Sequence, residues 1–360
     1  MSCNKSLLNR DYSTWIKGVL TLFIILGHNM VFTMPLKDYG VMSYFYMFHI
    51  QGFFILPFLY GTYTKRDLKV RLKDVAVRFY WPFFLLVSGM TLVYGSINHF
   101  SGFTWEKLTE LFLSCNGYII KQMCGIQIFW FLPSMMMCIL LKEVYYRGGV
   151  MMRFLLLSIS LAYTISAIHA NTSYLAAIWF VNTNRYFPLG AGYAIQMLAI
   201  GVSLRALVNY INTTKCHRSA FILSAGGFLT CSLLYMKYVA KLIGHSDLNV
   251  VYAILQNITP LFFMIAIVCG LSLVQPNVRD SNVWKIGNSS LYIYLISPFV
   301  GYLLFFICNH LNLMYWQIGL LLWPVITYIA YGISFLISRK IERFLFPSDY
   351  SAWKRFFLQG

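Results

Sequence analysis

Charged side chains are scarce in this chain of 360 residues, at 11% of the total, and Asp and Glu together number only 11. Soluble domains carry about 25% charged residues, so the composition excludes an ordinary soluble domain. The sequence also lacks a P-loop, a GxGxxG fingerprint, an HExxH or HHxxxD signature and any internal repeat. These absences argue against an ATP-driven pump and a zinc protease.

Paired cysteine motifs are also lacking. The eight Cys show no CxxC spacing, and most lie in apolar runs, where a thiol behaves as a small hydrophobic group. We therefore expect neither a metal site nor a disulfide framework. Cys115 and Cys124 both lie in segments predicted to face outward, and they could pair if that compartment oxidises thiols.

Long apolar runs are what the chain has in abundance, with 59% hydrophobic and 18% aromatic residues and a mean hydropathy of +0.65. A spanning helix needs about 20 largely apolar residues. Ten segments meet this condition: 14–33, 41–63, 75–95, 126–146, 150–169, 186–209, 219–240, 250–274, 285–308 and 313–337. The shorter stretch 174–181 is expected at the interface. The sequence predicts an all-α, polytopic membrane bundle of about ten helices, with 1–360 as one domain.

The basic residues predict the orientation of this bundle. With the N-terminus in the cytoplasm, 22 of the 28 Lys and Arg fall in cytoplasmic segments, as the positive-inside rule requires. An even number of spans then places both termini in the cytoplasm. The basic surplus is explained by topology and does not indicate nucleic-acid binding. A bacterial inner membrane is the expected location.

Two histidines lie inside predicted spans, and an ionisable residue within a membrane is a functional candidate. At about 1.5 Å per residue, His28 lies about 20 Å from the cytoplasmic start of the first span and His49 about 12 Å from the outer start of the second. In a bilayer of about 30 Å these depths nearly coincide. Imidazole suits general-base catalysis near neutral pH. The alternative is that each histidine is a polar side chain satisfied by a neighbouring helix.

Six stretches of the sequence combine apolar residues with a few distinctive positions. The segment 15–28 places Lys17 eleven positions before His28, the segment 48–61 begins Phe-His, and the later stretches are 78–82, 129–133, 186–190 and 286–294. In this order they resemble blocks of the membrane acyltransferase 3 family, in which a basic residue precedes the first-helix histidine by the same spacing and the second-helix pattern begins Phe-His. Departures from the family pattern occur at Thr14, Lys17, Gln51, Gly52, Pro57 and Ser297.

The resemblance implies an enzyme that transfers an acyl group, usually acetyl, from cytoplasmic acyl-CoA to a hydroxyl, commonly of a surface carbohydrate or glycolipid. His28 would be the base, His49 would orient the acyl group or share proton transfer, and Lys17 would help to hold the donor. No metal is expected.

Further candidates flank the predicted spans. Arg71, Lys73 and Arg78 approach the third span and could hold the phosphates of acyl-CoA, although topology or anionic lipids would also explain them. Trp130 could stack on the substrate or pack in the core. Arg185 could bind an acceptor sugar or anchor at headgroups.

The main alternative function is a transporter or flippase for a glycan or lipid intermediate, and a third is a polysaccharide polymerase. Ion-coupled transporters commonly keep a carboxylate within the membrane. Every Asp and Glu here falls in a predicted loop or at a span end, which weakens the transporter hypothesis. The polymerase hypothesis is weakened because larger outer loops would be expected.

Overall fold

The described part of the chain is mostly helical. The computed structural model describes residues 7–61, 67–115, 117–126, 128–170, 191–239, 246–274, 277–340 and 347–358, and these ranges contain no strand. The helices are α1 (Arg10–His28), α2 (Met30–Thr33), α3 (Val41–Tyr46), α4 (His49–Tyr60), α5 (Leu68–Ile97), α6 (Trp105–Leu113), α7 (Gly117–Cys124), α8 (Phe131–Arg147), α9 (Val150–Ala170), α10 (Ala191–Thr214), α11 (His217–Leu234), α12 (Ser246–Val274), α13 (Asn282–Asn288), α14 (Ser290–His310), α15 (Trp316–Lys340) and α16 (Tyr350–Leu358). The predicted all-α class is confirmed for the described chain.

Seven helical segments of the described chain are long and apolar enough to cross a membrane. They are Leu68–Ile97, Ile128–Arg147, Ala191–Thr214, His217–Tyr238, Ile254–Val274, Ser290–His310 and Trp316–Leu336. These segments support an integral membrane protein. The total of ten spans and the cytoplasmic placement of both termini stay predictions.

The other three predicted spans are helical but shorter or interrupted. The segment 14–33 becomes α1 and α2 with a break at Asn29, and 41–63 becomes α3 and α4 with a break at Met47 and Phe48. The segment 150–169 contains a shorter apolar helix, Val150–Ser166. Hydropathy counts side chains and does not register where the backbone leaves the helix, so the sequence showed continuous runs.

Some helices begin at polar capping residues that lie outside the spans predicted from hydropathy. Helix α5 begins seven residues before its predicted start because Asp67 caps it, accepting a hydrogen bond from the Lys69 N–H at 3.1 Å. The predicted outer loop 96–125 contains α6 and α7. Thr104 caps α6 by accepting from the Lys107 N–H at 3.2 Å. The predicted interfacial stretch 174–181 lies outside the described residues.

The chain forms two compact units. The first comprises Met1–Tyr60, Ile168–Tyr174 and Ile200–Leu336, and the second comprises Gly61–Ala167, Leu175–Ala199 and Ile337–Gly360. One apolar cluster of the first unit joins residues of α1, α13, α14 and α15. Its buried members are Ile25, Ile286, Ile293, Val300, Ile326 and Ala330.

Helices α1 and α13 of the first unit touch through their backbones. A Cβ atom added at Gly18 would lie 2.0 Å from the Val283 carbonyl oxygen, and one added at Gly287 would lie 1.8 Å from the Thr14 carbonyl oxygen. Small residues let helices approach in this way within membranes, where dispersion contacts replace the hydrophobic effect as the source of association. This crossing fixes the position of α1, which carries His28.

Within the second unit, the C-terminal helix α16 is attached to α5. The Tyr350 N–H donates to Asp74 Oδ1 at 3.0 Å, and the rings of Trp353 and Trp81 lie edge to face with centroids 5.6 Å apart. Asp349 caps α16, and the hydrogen bond from the Ala352 N–H holds the pKa of that carboxyl below its ordinary value. The buried carboxylate of Asp74 thus joins α5 to α16, which lies far away in the sequence.

We predict that Gly287→Ala destabilises the first unit, because its methyl group has no room against the Thr14 carbonyl. Forcing an extra methyl into such a contact costs about 1–3 kcal/mol. Thermal unfolding of the purified protein in detergent should show a lower Tm. The matched control is Gly226→Ala, at a helical position where an added Cβ meets no heavy atom within 4 Å among the described residues. Equal Tm values for the two variants would contradict the tight crossing.

Candidate active site

The break after α1 is held in place by contacts from α15. Asn29 leaves the helical conformation, with φ −74° and ψ 97°, and its Nδ2 donates to the Gly319 carbonyl at 2.7 Å. A Cβ atom at Gly319 would lie 2.4 Å from the Phe32 backbone nitrogen. The break is therefore stabilised both by a buried hydrogen bond and by close backbone packing, and His28 is the last residue before it.

His28 has both ring nitrogens engaged. Its Nδ1 lies 2.9 Å from the Ile24 carbonyl oxygen, and because a carbonyl can only accept, Nδ1 carries the hydrogen. In the neutral imidazole, Nε2 is then the acceptor. The Tyr46 hydroxyl lies 2.8 Å from Nε2 and donates to it.

His49 begins α4 and is completely buried, with a relative exposure of 0%. Its Nδ1 donates to the Phe45 carbonyl oxygen, which fixes the same neutral tautomer as in His28. The Nε2 of His49 is buried and has no hydrogen-bond partner among the described residues. His49 therefore holds an open lone pair inside the first unit.

The two imidazoles and the Tyr46 phenol form one group of rings. The ring centroids of His28 and His49 are 6.3 Å apart, and that of Tyr46 lies 5.5 Å from His28 and 5.2 Å from His49. His28 and Tyr46 are partly exposed, whereas His49 is buried. The structure thus brings together the two histidines that the sequence placed at similar depths.

Helix α14 passes beside this group. A Cβ atom added at Gly301 would lie 3.9 Å from the His28 carbonyl oxygen. One turn earlier, Ser297 is buried and its hydroxyl has no hydrogen-bond partner in the described part of the chain. The first unit therefore holds acceptor nitrogens, a phenol and the buried hydroxyl of Ser297, a set that can accept and return a proton.

Lys17 is not part of this group. It lies on α1 eleven residues before His28, which corresponds to about 16 Å along a helix at 1.5 Å per residue. Its side chain is partly exposed. The predicted role of Lys17 in holding the donor stays a prediction.

The predicted donor-binding residues belong to the second unit, where each contacts protein groups. Arg71 Nε lies 3.2 Å from Glu143 Oε1, and Lys73 Nζ lies 5.2 Å from the Tyr350 ring centroid. Arg78 stacks on Phe79, with its guanidinium carbon 5.7 Å from the ring centroid.

Glu143 forms ion pairs with three basic side chains. Besides Arg71, Lys142 Nζ lies 2.9 Å from Oε1 and Arg147 Nε lies 3.4 Å from Oε2, while the Glu143 side chain is 0% exposed. The carboxylate joins α8 to α5 and orients the Arg71 guanidinium. This cluster was not predicted from the sequence because Glu143 lies near the end of a predicted span, where an acidic residue needs no special explanation.

The predicted acceptor-binding residues have different outcomes. Trp130 is buried in the second unit, 5% exposed, and stacks on Tyr193 with centroids 5.2 Å apart. This contact matches the core-packing alternative for Trp130 and leaves the substrate role as a prediction. Arg185 lies outside the described residues.

The two cysteines expected to face outward are free thiols. Cys115 Sγ donates to the Phe112 carbonyl oxygen at 3.5 Å, and Cys124 Sγ lies 3.3 Å from Thr91 Oγ1. Burial raises the pKa of the Cys115 thiol well above its ordinary value, so this thiol is unreactive as a nucleophile.

Tyr46 and Asn29 are the site residues that the sequence analysis missed. Tyr46 stands three positions before His49, a spacing that would bring both side chains to one face of the continuous helix predicted for 41–63, and this signal could have been noticed. Asn29 follows His28 directly, but its carbonyl partner Gly319 is 290 residues away. Such a partner has no local signal.

No protein-family model, curated protein or solved structure matches the chain. The resemblance to the acyltransferase 3 family is therefore carried only by the residues quoted above.

We predict that Glu143→Gln strongly destabilises the protein, because it leaves three basic side chains around a neutral buried amide. Removing one partner of a buried ion pair costs about 3–5 kcal/mol. The comparison is Asp11→Asn, which removes an ion pair with Arg279, a side chain that is 68% exposed. Thermal unfolding should show a large loss of Tm for Glu143→Gln and little change for Asp11→Asn. Similar Tm values would mean that the Glu143 cluster contributes no more than a surface pair.

Proposed function

We propose that this protein is a membrane-embedded O-acyltransferase that moves an acyl group, acetyl in the simplest case, from cytoplasmic acyl-CoA to a hydroxyl of a surface carbohydrate or glycolipid. The observation that carries the proposal is the pair His28 and His49, whose Nε2 atoms are both acceptors because both Nδ1 atoms donate to carbonyls. Two imidazole lone pairs in one group are suited to removing a proton from a hydroxyl.

The proposed reaction is a direct transfer. The acceptor hydroxyl oxygen attacks the thioester carbonyl while its proton passes to an imidazole Nε2. The carbon–sulfur bond then breaks, and the proton returns to the departing CoA thiolate to give the free thiol. The enzyme is unchanged, and no covalent intermediate is required.

The exposures of the two histidines support different roles in this reaction. His28 is partly exposed, and it is the proposed base. His49 lies buried beside it with an open Nε2, where it can orient the acyl group or share the proton. Lys17 keeps its proposed role in holding the donor.

Arg71 is the best-supported donor contact. Its Nε bonds Glu143, while its two Nη groups have no hydrogen-bond partner in the described part of the chain and the side chain is 23% exposed. A guanidinium has five N–H donors in a planar fork that suits phosphate. Lys73 and Arg78 are proposed to add positive charge, and Trp130 and Arg185 are proposed acceptor contacts.

The proposal also includes the topology. Ten spans with both termini in the cytoplasm would place the basic starts of α1 and α5 on the side where acyl-CoA is found. The acceptor would approach from the opposite side of a bacterial inner membrane. The lipid bilayer is the third partner.

A transporter or flippase for a glycan or lipid intermediate is the alternative, and the two broken helices favour it. Discontinuous helices near the middle of a membrane commonly form transport sites, and here the chain breaks at Asn29 and at Met47 and Phe48. Release of the CoA thiol separates the two functions, because a transporter leaves acyl-CoA intact.

We predict that folded His28→Ala loses acyl transfer by about 10² to 10⁴ in rate, the usual cost of removing a general base. His49→Ala should be milder if His49 only orients the acyl group. The measurement is release of the free CoA thiol by purified protein supplied with acetyl-CoA and a carbohydrate acceptor, expressed per folded molecule.

The matched control for both variants is His310→Ala, which changes an exposed histidine at the end of α14 and should leave the rate unchanged. A folded His28→Ala protein that releases the thiol at the parental rate would refute the assignment and favour the transporter. Equal losses for His28→Ala and His49→Ala would mean that the two imidazoles act as one unit.

We predict that Arg71→Ala weakens acyl-CoA binding about ten- to a hundredfold, as expected for losing a charge-assisted contact of about 1.5 to 3 kcal/mol. Arg71→Lys should recover part of the affinity, since it keeps the charge but not the fork. Calorimetric titration with acetyl-CoA gives the Kd, and a Tm measured in parallel accounts for the lost bond to Glu143. Arg279→Ala serves as the control. An unchanged Kd would leave Arg71 with only its contact to Glu143.

A further inference from the structure

Tyr46 occupies the nitrogen that the proposed base must use. Its hydroxyl lies 2.8 Å from His28 Nε2, and Nε2 is the acceptor because His28 Nδ1 donates to the Ile24 carbonyl. The phenol must therefore be the donor. In the structure the His28 lone pair is therefore occupied, whereas Nε2 of the more buried His49 has no partner among the described residues.

The position of Tyr46 in the chain differs from that of Tyr44, the other tyrosine at the end of α3. Tyr46 is the last residue of α3 and is followed by the break at Met47 and Phe48. Its side chain is partly exposed, as is His28. By contrast, the hydroxyl of Tyr44 on the same short helix is hydrogen-bonded to the Ser232 hydroxyl, with 2.8 Å between the two oxygens.

We propose that Tyr46 is a positioning residue that closes the His28 base, with its phenol standing where the hydroxyl of the acceptor substrate would donate. The hydroxyl of a bound acceptor displaces the Tyr46 hydroxyl and donates to His28 Nε2 in its place. A single water molecule that reaches the site finds His28 Nε2 already bonded to the Tyr46 hydroxyl. The gate therefore selects acceptors that bind through further contacts as well as through the reacting hydroxyl.

The consequence for turnover rests on the proposed acyl transfer. Without a gate, water can take the place of the acceptor: its oxygen attacks the thioester carbonyl and its proton passes to His28 Nε2. The carbon–sulfur bond then breaks, and the products are a carboxylic acid and the CoA thiol. Tyr46 would suppress this wasteful hydrolysis by keeping His28 Nε2 closed.

The closure itself can be tested without any turnover. Diethyl pyrocarbonate modifies imidazole through a nitrogen lone pair, so the rate at His28 reports whether Nε2 is open. In Tyr46→Phe, which keeps the ring and removes the hydroxyl, we expect His28 to react about two- to tenfold faster, the range that corresponds to one net hydrogen bond. Mass spectrometry of the peptide containing His28 gives the rate, and exposed His310 in the same sample gives the reagent reference.

Tyr44→Phe is the matched control, because it removes a neighbouring phenol hydroxyl that bonds Ser232 and not His28. The proposal is overturned if His28 reacts at the parental rate in Tyr46→Phe. It is also overturned if Tyr44→Phe raises the rate as much, since the effect would then be general loosening.

A second measurement needs no variant of Tyr46 and covers the case in which Tyr46→Phe does not fold. In nitrogen NMR spectra of the parental protein, the imidazole signals lost in His28→Gln identify His28. They should show the neutral tautomer with hydrogen on Nδ1 and an Nε2 shifted as a hydrogen-bond acceptor. Hydrogen on Nε2 would overturn the proposal.

A third experiment measures the hydrolysis of acetyl-CoA in the absence of an acceptor. Tyr46→Phe should raise thiol release above the parental and Tyr44→Phe rates, and a fall would overturn the gate, because Tyr46 would then assist the reaction. If no variant releases the thiol, with or without acceptor, the acyltransferase proposal fails on its own, while the reagent experiment still decides whether Tyr46 closes His28.

Discussion

The chemistry of the first unit depends on one interaction that occurs twice, the hydrogen bond from an imidazole Nδ1 to the carbonyl four residues earlier. His28 makes it to Ile24 and His49 makes it to Phe45. A carbonyl cannot donate, so both rings are held as the same neutral tautomer. Each Nε2 therefore carries a lone pair. The Tyr46 hydroxyl occupies the lone pair of His28, whereas that of His49 has no partner in the described chain.

The same region shows how a membrane protein can contain irregular backbone. Non-helical backbone at membrane depth is tolerated where protein surrounds it and satisfies its polar groups. The Asn29 carbonyl accepts from the Phe32 and Thr33 N–H groups, and the Asn29 side chain bonds the carbonyl of Gly319. Glycine at 319 makes room for this close approach, so the break beside His28 depends on a residue of α15.

Much of the fold, and the meeting of the two histidines, could be predicted from the sequence. Apolar runs indicate spanning helices, and depth along two antiparallel spans brings His28 and His49 to one level. The breaks could not be predicted, because hydropathy is the same for a continuous and a broken apolar run. The Glu143 cluster was missed for another reason. Arg71 lies 72 residues from its carboxylate partner, and charge counting treats both as ends of spans.

The acceptor character of the site helps to weigh an enzyme against a transporter. A transport site for a sugar has to match hydroxyl groups with donors as well as acceptors, because every buried polar group needs a partner. The His28 group offers two imidazole acceptors, one bonded by Tyr46 and one, on buried His49, that has no partner in the described chain. A buried acceptor is costly to maintain unless something donates to it. A single reacting hydroxyl is the simplest donor that fits, and this favours proton transfer over the binding of a whole sugar.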